Sequence, residues 1–400
     1  MNSKKSIVVT AVVAIIATTA FYLTPLGESL YRNIRLVAGG TSFIDKMEIM
    51  DTLMKKYYID EYDEEHMEDL ALTGYAAGAG DIYTAYMNKE YLSSLYEGMG
   101  DDYQGIGVEV FVNDENQIEI VSVIENSPAQ KSGLMPKDCI VAVEGEPADG
   151  DNYKSAINKI KGVDAAKGDN DVVITIKRGD ETFDVTLVRE TVAISTVTSK
   201  MIADGIGYIQ ITDFGENTYA DYSRELLKLN ENEIKGLIID LRNNPGGTLA
   251  SVVQVADTLL PEGNIVTIKD KAGKETPYNS DSEWINLPMC VIVNGSSASA
   301  AEVLTGAMRD NKCATIVGEK TYGKGVVQSL VEFGDGSGFK FTSAKYYTPG
   351  GECIDGVGIT PDIEVTLNEQ WKNVSVSLIP EGEDTQLKTA IEVLKDKLKN

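Results

Sequence analysis

From Ser195 onward, compact apolar runs alternate with amphipathic segments, and no other feature narrows the fold as much. The runs are GIGYIQI, GLIIDL, NIVTI, MCVIVN and ATIVGE; the helical segments among them are TYADYSRELLKL, TLASVVQVADTLL and AAEVLTGAMRD. Short runs that stay apolar throughout suit strands covered on both faces, which predicts a largely parallel sheet with helices packed on it. The texture upstream differs. IGVEVFV, QIEIVSVI, DCIVAVEG and DVVITIKRG read as short strands with a helix at NYKSAINKIKG, a pattern that predicts a small, partly open barrel. Residues 41–98 carry apolar positions at helical spacing, and LALTGYAAGAGDIYTAYM continues the pattern across a glycine-rich break. TQLKTAIEVLKDKLK closes the chain as an amphipathic helix with basic residues toward its C-terminal end. A chain of 400 residues is longer than one core usually supports, so the expected class is multidomain α/β and α+β.

Residues 6–23, SIVVTAVVAIIATTAFYL, follow Lys4 and Lys5 and carry no charge. As a helix this run reaches about 27 Å, enough to span a bilayer core. Lysines on the N-terminal flank favour a cytoplasmic N-terminus and an exported body. The expected location is the cell membrane, single-pass, with the body on the extracytoplasmic side. Secretion after signal cleavage is the alternative, because TTA before Phe21 offers small residues at a cleavage site. A formal net charge of −26, spread along the chain, repels phosphate backbones, so nucleic acid is not an expected partner. Cysteines 139, 290, 313 and 353 form no C-x-x-C and His66 is the single histidine, so neither metal nor cofactor is expected. Export permits a disulfide between Cys290 and Cys313; buried free thiols are the other reading. His66 lies in the acidic stretch DEYDEEHMEDL and reads as solvated. Hydroxyl chemistry in this chain therefore needs a base other than histidine.

Three segments raise the question of such chemistry. NGSSASAAE, residues 294–302, follows an apolar strand and opens a helix, where free backbone N–H donors and the positive dipole end gather. Those donors suit a tetrahedral oxyanion. Helix capping explains the same residues, since Ser299 and Glu302 have capping-box spacing. GEKTYGKG, residues 318–325, nearly matches a phosphate-binding loop. Gly325 stands where the Mg²⁺-binding hydroxyl belongs, and strand-like VVQSLVEF follows in place of a helix, so nucleotide binding is rejected. Lys324 within it is either a solvated lysine or, if buried, a general base of the Ser–Lys kind. In GLIIDLRNNPGGTL, residues 236–249, Pro-Gly-Gly frees backbone amides at a strand end, as an ordinary turn or as oxyanion donors.

Taken in order, DLRNNPGG, SASAAE, GEKTYGKGVVQ and GVGITPDIEV resemble the catalytic signatures of the C-terminal processing peptidases, or tail-specific proteases. GDIYTAYM, YQGIGVEV and NSPAQKSGLMPKDCIVAVEG are similar to that family's approach to its PDZ domain and to the PDZ core. The resemblance implies an anchor over 1–24, a helical region over 25–98, a PDZ domain over 99–192, an α/β (ClpP/crotonase-like) Ser–Lys peptidase domain over 193–366 and a helical segment over 367–400. It implies Ser299 as nucleophile, Lys324 as general base and Gln328 as the lysine's companion. Backbone N–H groups of Ala300 and of Gly247, in preference to Gly246, match the oxyanion hole, and Ser297 is left as a capping residue. If residues 324–328 were a straight strand, Lys324 and Gln328 would lie about 13 Å apart, so direct contact needs a turn there.

By the same resemblance, a substrate's C-terminal tail adds to the PDZ edge, with its carboxylate in a nest at Gly105, Ile106, Gly107 and Val108 and apolar lining near Ile157 and Ile160. Expected partners are proteins or peptides with free C-terminal tails and the membrane. Segments 41–98 and 379–400 are candidates for homodimer contacts, although amphipathic helices also serve simply as packing. Lys137 and Lys161 stand where the family has glycine and arginine, and Ser296 where it usually has glycine. The implied activity is serine endopeptidase cleavage of exported proteins. The alternative is an inactive PDZ scaffold at the membrane surface, against which the intact Ser–Lys–Gln set argues.

Overall fold

The computed structural model describes residues 42–399 apart from 100–101, 114, 125, 164–169, 194, 204 and 373. The expected anchor over 1–24 lies outside the described residues. Among these, no helix is long and apolar enough to cross a membrane. The chain falls into two compact units that divide between Ala71 and Leu72. In the first, α1 (Phe43–Tyr57) starts with a reciprocal capping box in which Ser42 Oγ accepts from the Asp45 amide and Asp45 from the Ser42 amide. Its apolar side chains stay solvated, with Phe43 54% and Ile44 73% exposed. The division falls inside α2 (Glu64–Ala77), where His66 is exposed as expected.

Helical structure does not continue through DIYTAYM as its spacing suggested. Helix α2 stops at Ala77, Asp81–Thr84 forms a turn, and β1 (Ala85–Met87) is a strand. Met87 is fully buried while Ile82 is 81% exposed, which a helix-period reading cannot distinguish. Helix α3 (Lys89–Met99) follows.

The next stretch is the small domain with a barrel-like sheet. Strand β2 (Asp102–Gly105) leads into β3 (Val108–Val112), β4 (Ile118–Val123), the short α4 (Pro128–Lys131), β5 (Cys139–Val143) and β6 (Glu146–Pro147). Helix α5 (Tyr153–Lys161), β7 (Asp171–Arg178), β8 (Glu181–Val188) and β9 (Glu190–Ala193) complete it. The order is β3-β4-β5-β7-β8, so β3 is an edge strand, and β2 pairs with β9 as a separate ribbon where the chain enters and leaves. Ile106, Ile118, Ile120, Ile140, Ile174, Ile176 and Ile160 of α5 form the core. Lys137 has φ 74, a left-handed conformation that glycine adopts more readily than a residue with a Cβ.

The larger domain begins with β10 (Val197–Ala203), β11 (Ile206–Ile211), α6 (Thr218–Glu231), β12 (Gly236–Asp240) and α7 (Leu249–Leu259). Next come β13 (Gly263–Asp270), β14 (Glu275–Ser280), β15 (Met289–Val293), α8 (Ala300–Asp310) and β16 (Ala314–Gly318). The chain ends with β17 (Val326–Glu332), β18 (Gly338–Tyr347), β19 (Ile363–Glu364) and α9 (Thr385–Lys399). One sheet runs β10-β11-β12-β15-β16-β19, parallel throughout except for the β10–β11 pair. Its inner strands β11, β12, β15 and β16 are buried on both faces. Leu237 and Ile239 pack under α6, α7 and α8, whereas Ile238, Cys290 and Ile292 pack against Leu387, Ala390 and Leu394 of α9. NIVTI departs from expectation: it lies in β13, which belongs to a second, antiparallel sheet of β1-β18-β13-β14 with β17 on β18.

All four cysteines are free thiols. Cys290 faces α9 while Cys313 packs on the opposite side of the sheet, so the two cannot pair. Arg242 is fully buried after β12, binding Asp240 beside it and Asp384 and Gln386 at the start of α9. That cluster pins the chain-terminal helix to the root of the Pro-Gly-Gly loop.

Candidate active site

Because β12, β15 and β16 are parallel neighbours, the segments after them emerge at one edge. These are residues 241–248, 294–299 and 319–325, the three segments singled out in the sequence. Asn243 and Asn294 exchange amide hydrogen bonds, and the Ala298 amide donates to the Asn244 carbonyl. Ser297 does not cap α8: its buried hydroxyl donates to the Leu241 carbonyl at 2.8 Å and accepts from the Asn294 amide.

Ser299 sits at the helix entrance with φ 53 and ψ −114, a positive-φ conformation that costs a non-glycine residue on the order of 1–3 kcal/mol. Glu302 holds it there. One Glu302 oxygen accepts the Ser299 amide at 2.9 Å and the Lys324 amide at 2.8 Å; the other accepts the Gly323 amide at 2.7 Å and the Thr321 hydroxyl at 2.5 Å. The capping-box spacing is real, but its carboxylate ties the serine loop to the lysine loop as well as capping α8. Burial pushes the Glu302 carboxyl above its usual range, with the four donors opposing that rise.

Lys324 is half-buried, and burial, followed by the nearby charge of Lys340, lowers its pKa below the usual lysine value. Its Nζ lies 5.0 Å from the Tyr83 ring centroid. The Tyr346 hydroxyl donates to the Lys324 carbonyl and pairs with the Ser299 side chain. Ser299 Oγ and Lys324 Nζ share no hydrogen bond in this arrangement. Gln328 does not meet Lys324 directly either. It follows a register shift between Val327 and Gln328, and its amide donates to Thr342 Oγ1 at 2.9 Å. Thr342 in turn donates to Asp81 at 2.6 Å. Asp81, Tyr83, Thr342 and Tyr346 were not recognised as part of the site. An Asp-x-x-Thr turn signature at Asp81–Thr84 was the one available sign.

The glycine pair closes the site. A Cβ on Gly246 would fall 2.7 Å from Ser299 Cβ and 3.0 Å from the Ala300 amide nitrogen. Gly246 spends its own amide on Asn244, whereas the Gly247 and Ala300 amides have no acceptor among the described residues. This separates Gly247 from Gly246 as the candidate oxyanion donor. In the small domain, Ile106 and Gly107 follow β2 with amides that donate to nothing among the described residues, beside the open edge of β3. Gly107 has φ 82, and a Cβ there would fall 2.2 Å from Ser127 Cβ. Ile106 and Ile160 are buried in the core, while Val108 and Ile157 are partly exposed against it.

Residues 205–365 match the model of peptidase family S41, and residues 105–188 match a PDZ domain. The chain belongs to peptidase family S41 and is a serine-type peptidase carrying a PDZ domain. It is similar to a CtpA-like serine protease of Staphylococcus saprophyticus, 33% identical over 387 residues covering 96% of this chain and 75% of that protein. The carboxy-terminal processing protease CtpA of Bacillus subtilis is 33% identical over 369 residues, 92% of this chain and 77% of its own. A solved S41 protease structure from Bacteroides fragilis shares the fold with TM-score 0.56 at 14% identity, covering 87% of this chain and 97% of that one.

Proposed function

We propose that the chain captures the free C-terminal tail of exported proteins at its PDZ edge and cleaves them with Ser299 and Lys324. What carries this reading is the single Glu302 oxygen that binds the backbone amides of both residues, fixing the two backbone segments that bear the nucleophile and the lysine on one support. In the neutral form that burial favours, Lys324 takes the Ser299 proton as Oγ attacks the scissile carbonyl. The oxyanion settles on the Gly247 and Ala300 amides. Lys324 then returns the proton to the leaving amine, and water repeats the sequence on the acyl-enzyme. Rotation of the Lys324 side chain from Tyr83 toward Ser299 precedes the first step.

The open β3 edge offers backbone pairing to an extended tail, and the Ile106 and Gly107 amides offer its carboxylate donors. The run at residues 6–23 tethers the body outside the cytoplasmic membrane face in this reading. Amidating the C-terminus of an unfolded substrate with an apolar tail is the direct test. A lost charge-assisted hydrogen bond is worth about 1.5–3 kcal/mol, so KM is expected to rise roughly tenfold or more. Gly107→Ala is expected to raise KM for the free-tail substrate in the same direction. Identical kinetics for the amidated and free tails would reject tail capture.

A further inference from the structure

The charge that Lys324 acquires on taking a proton has few places to be balanced. Glu302, the carboxylate bonded to both loops, has its two oxygens fully engaged by three backbone amides and Thr321. Asp355 is paired with Lys345 at 2.8 Å. Lys340 on β18 repels a cation at Lys324. Tyr346, also on β18, directs its hydroxyl to the Lys324 carbonyl and to Ser299 rather than to the amine. Lys324 itself makes no ion pair among the described residues.

We propose that Tyr83 is the positioning residue for the base, its ring face holding the Lys324 ammonium in place of the carboxylate that other nucleophilic hydrolases use. The proposal rests on Lys324 being the general base. Four observations support it. Lys324 Nζ stands 5.0 Å from the ring centroid, within the range in which a cation is attracted to an aromatic face. The ring's aim is fixed at both ends: the Tyr83 amide donates to Asp81 at 3.0 Å, and its hydroxyl bonds that of Tyr322. The turn that carries it is itself locked, since Asp81 also accepts from Thr84 and Thr342, each at 2.6 Å, and β1 pairs with β18. Burial, then the Tyr322 hydroxyl, pushes the Tyr83 phenol up to about 12, which favours its neutral form.

Gln328 reaches the same turn through Thr342. One turn, Asp81–Thr84, therefore orients the lysine by its ring and the glutamine by its carboxylate. In the free enzyme, when the amine has taken a proton from solvent, the ring supplies the resting place of the ammonium; once deprotonated, Lys324 leaves it for Ser299. Its face favours the charged form and so holds the amine's pKa above the value that burial and Lys340 alone would set.

The test is the acid limb of kcat/KM against pH on a short unfolded substrate, which reports the free enzyme in which the ring contact exists. Tyr83→Leu removes the face, so the limb is expected to move down by about 0.5–1 pH unit. Tyr83→Phe keeps the face and loses the Tyr322 bond, so the limb is expected to stay in place. Stepwise fluorination of a phenylalanine at position 83 drains the face without changing packing, and is expected to lower the limb stepwise; this series serves if the leucine variant does not fold. Loss of rate with an unmoved limb in the leucine variant or the fluorinated series, or an upward shift, overturns the role of the ring. Lys324→Ala separates the two levels: if that variant remains active, the general-base reading fails first, whatever the limb does.

Discussion

Ser299→Ala is expected to lower kcat on an unfolded protein substrate by about 10⁴-fold or more while leaving tail binding intact. The substitution removes one oxygen, and alanine inherits the same φ of 53 with about the same strain, so the melting temperature should hardly change. Lys324→Ala is expected to be equally inactive, and the double variant no worse than either, because two groups that act in one proton transfer lose their effect together. Lys324→Arg gives the sharper discrimination. Arginine keeps the charge and much of the length, yet it does not deprotonate in proteins, so a base is lost while a cation is kept. If the lysine served only as a positive charge for substrate or oxyanion, the arginine variant would retain a sizeable share of the rate. Turnover near the unaltered level in the alanine or arginine variant would remove Lys324 from the chemistry.

How much of this was visible in the chain depended on whether the cause was local. The parallel sheet was legible because GLIID of β12 and MCVIV of β15 are buried at every position, and such strands read as continuous apolar runs. The second sheet was not, because it is made by pairings such as Ala85 with Lys340 and Asp270 with Ala344, which no window of sequence contains. NIVTI has the same composition as its neighbours, and only the partner across the ladder decides which sheet it joins. A similar division runs through the site. Ser299, Lys324 and the glycine pair stood out once motif order was considered, since each lies on a short segment at a strand end. Tyr83 reaches Lys324 only after β1 has paired with β18, and its aromatic neighbours at helical spacing disguised the turn. Glu302 was noticed as a cap, and the capping was correct as far as it went. Its second oxygen, and the Lys324 amide on the first, come from a loop about twenty residues further on in the chain.

Glu302→Ala is expected to be the most damaging substitution that touches neither reacting group. It strands three backbone N–H groups and the Thr321 hydroxyl around a buried position, and each unsatisfied donor costs about 1–3 kcal/mol. The sum is on the order of 4 kcal/mol or more, a large part of the stability of an ordinary domain. Whatever fraction folds has lost the support common to Ser299 and Lys324, and a misplacement of about 1 Å between reacting groups lowers rates on the order of 100-fold. Glu302→Gln tests the geometry separately from the loss of volume. Its one remaining oxygen can serve the Ser299 and Lys324 amides or the Thr321 and Gly323 donors, but not both pairs, and its NH₂ confronts the pair left over. The glutamine variant is therefore expected to fold with an intermediate loss of melting temperature and to lose activity beyond what that destabilisation explains. Thermal melts read alongside kcat/KM at a temperature where both variants are folded would decide it. Near-native turnover in the alanine variant would mean that the two loops hold their positions without a shared carboxylate, and the case for Glu302 as the brace of the site would be lost.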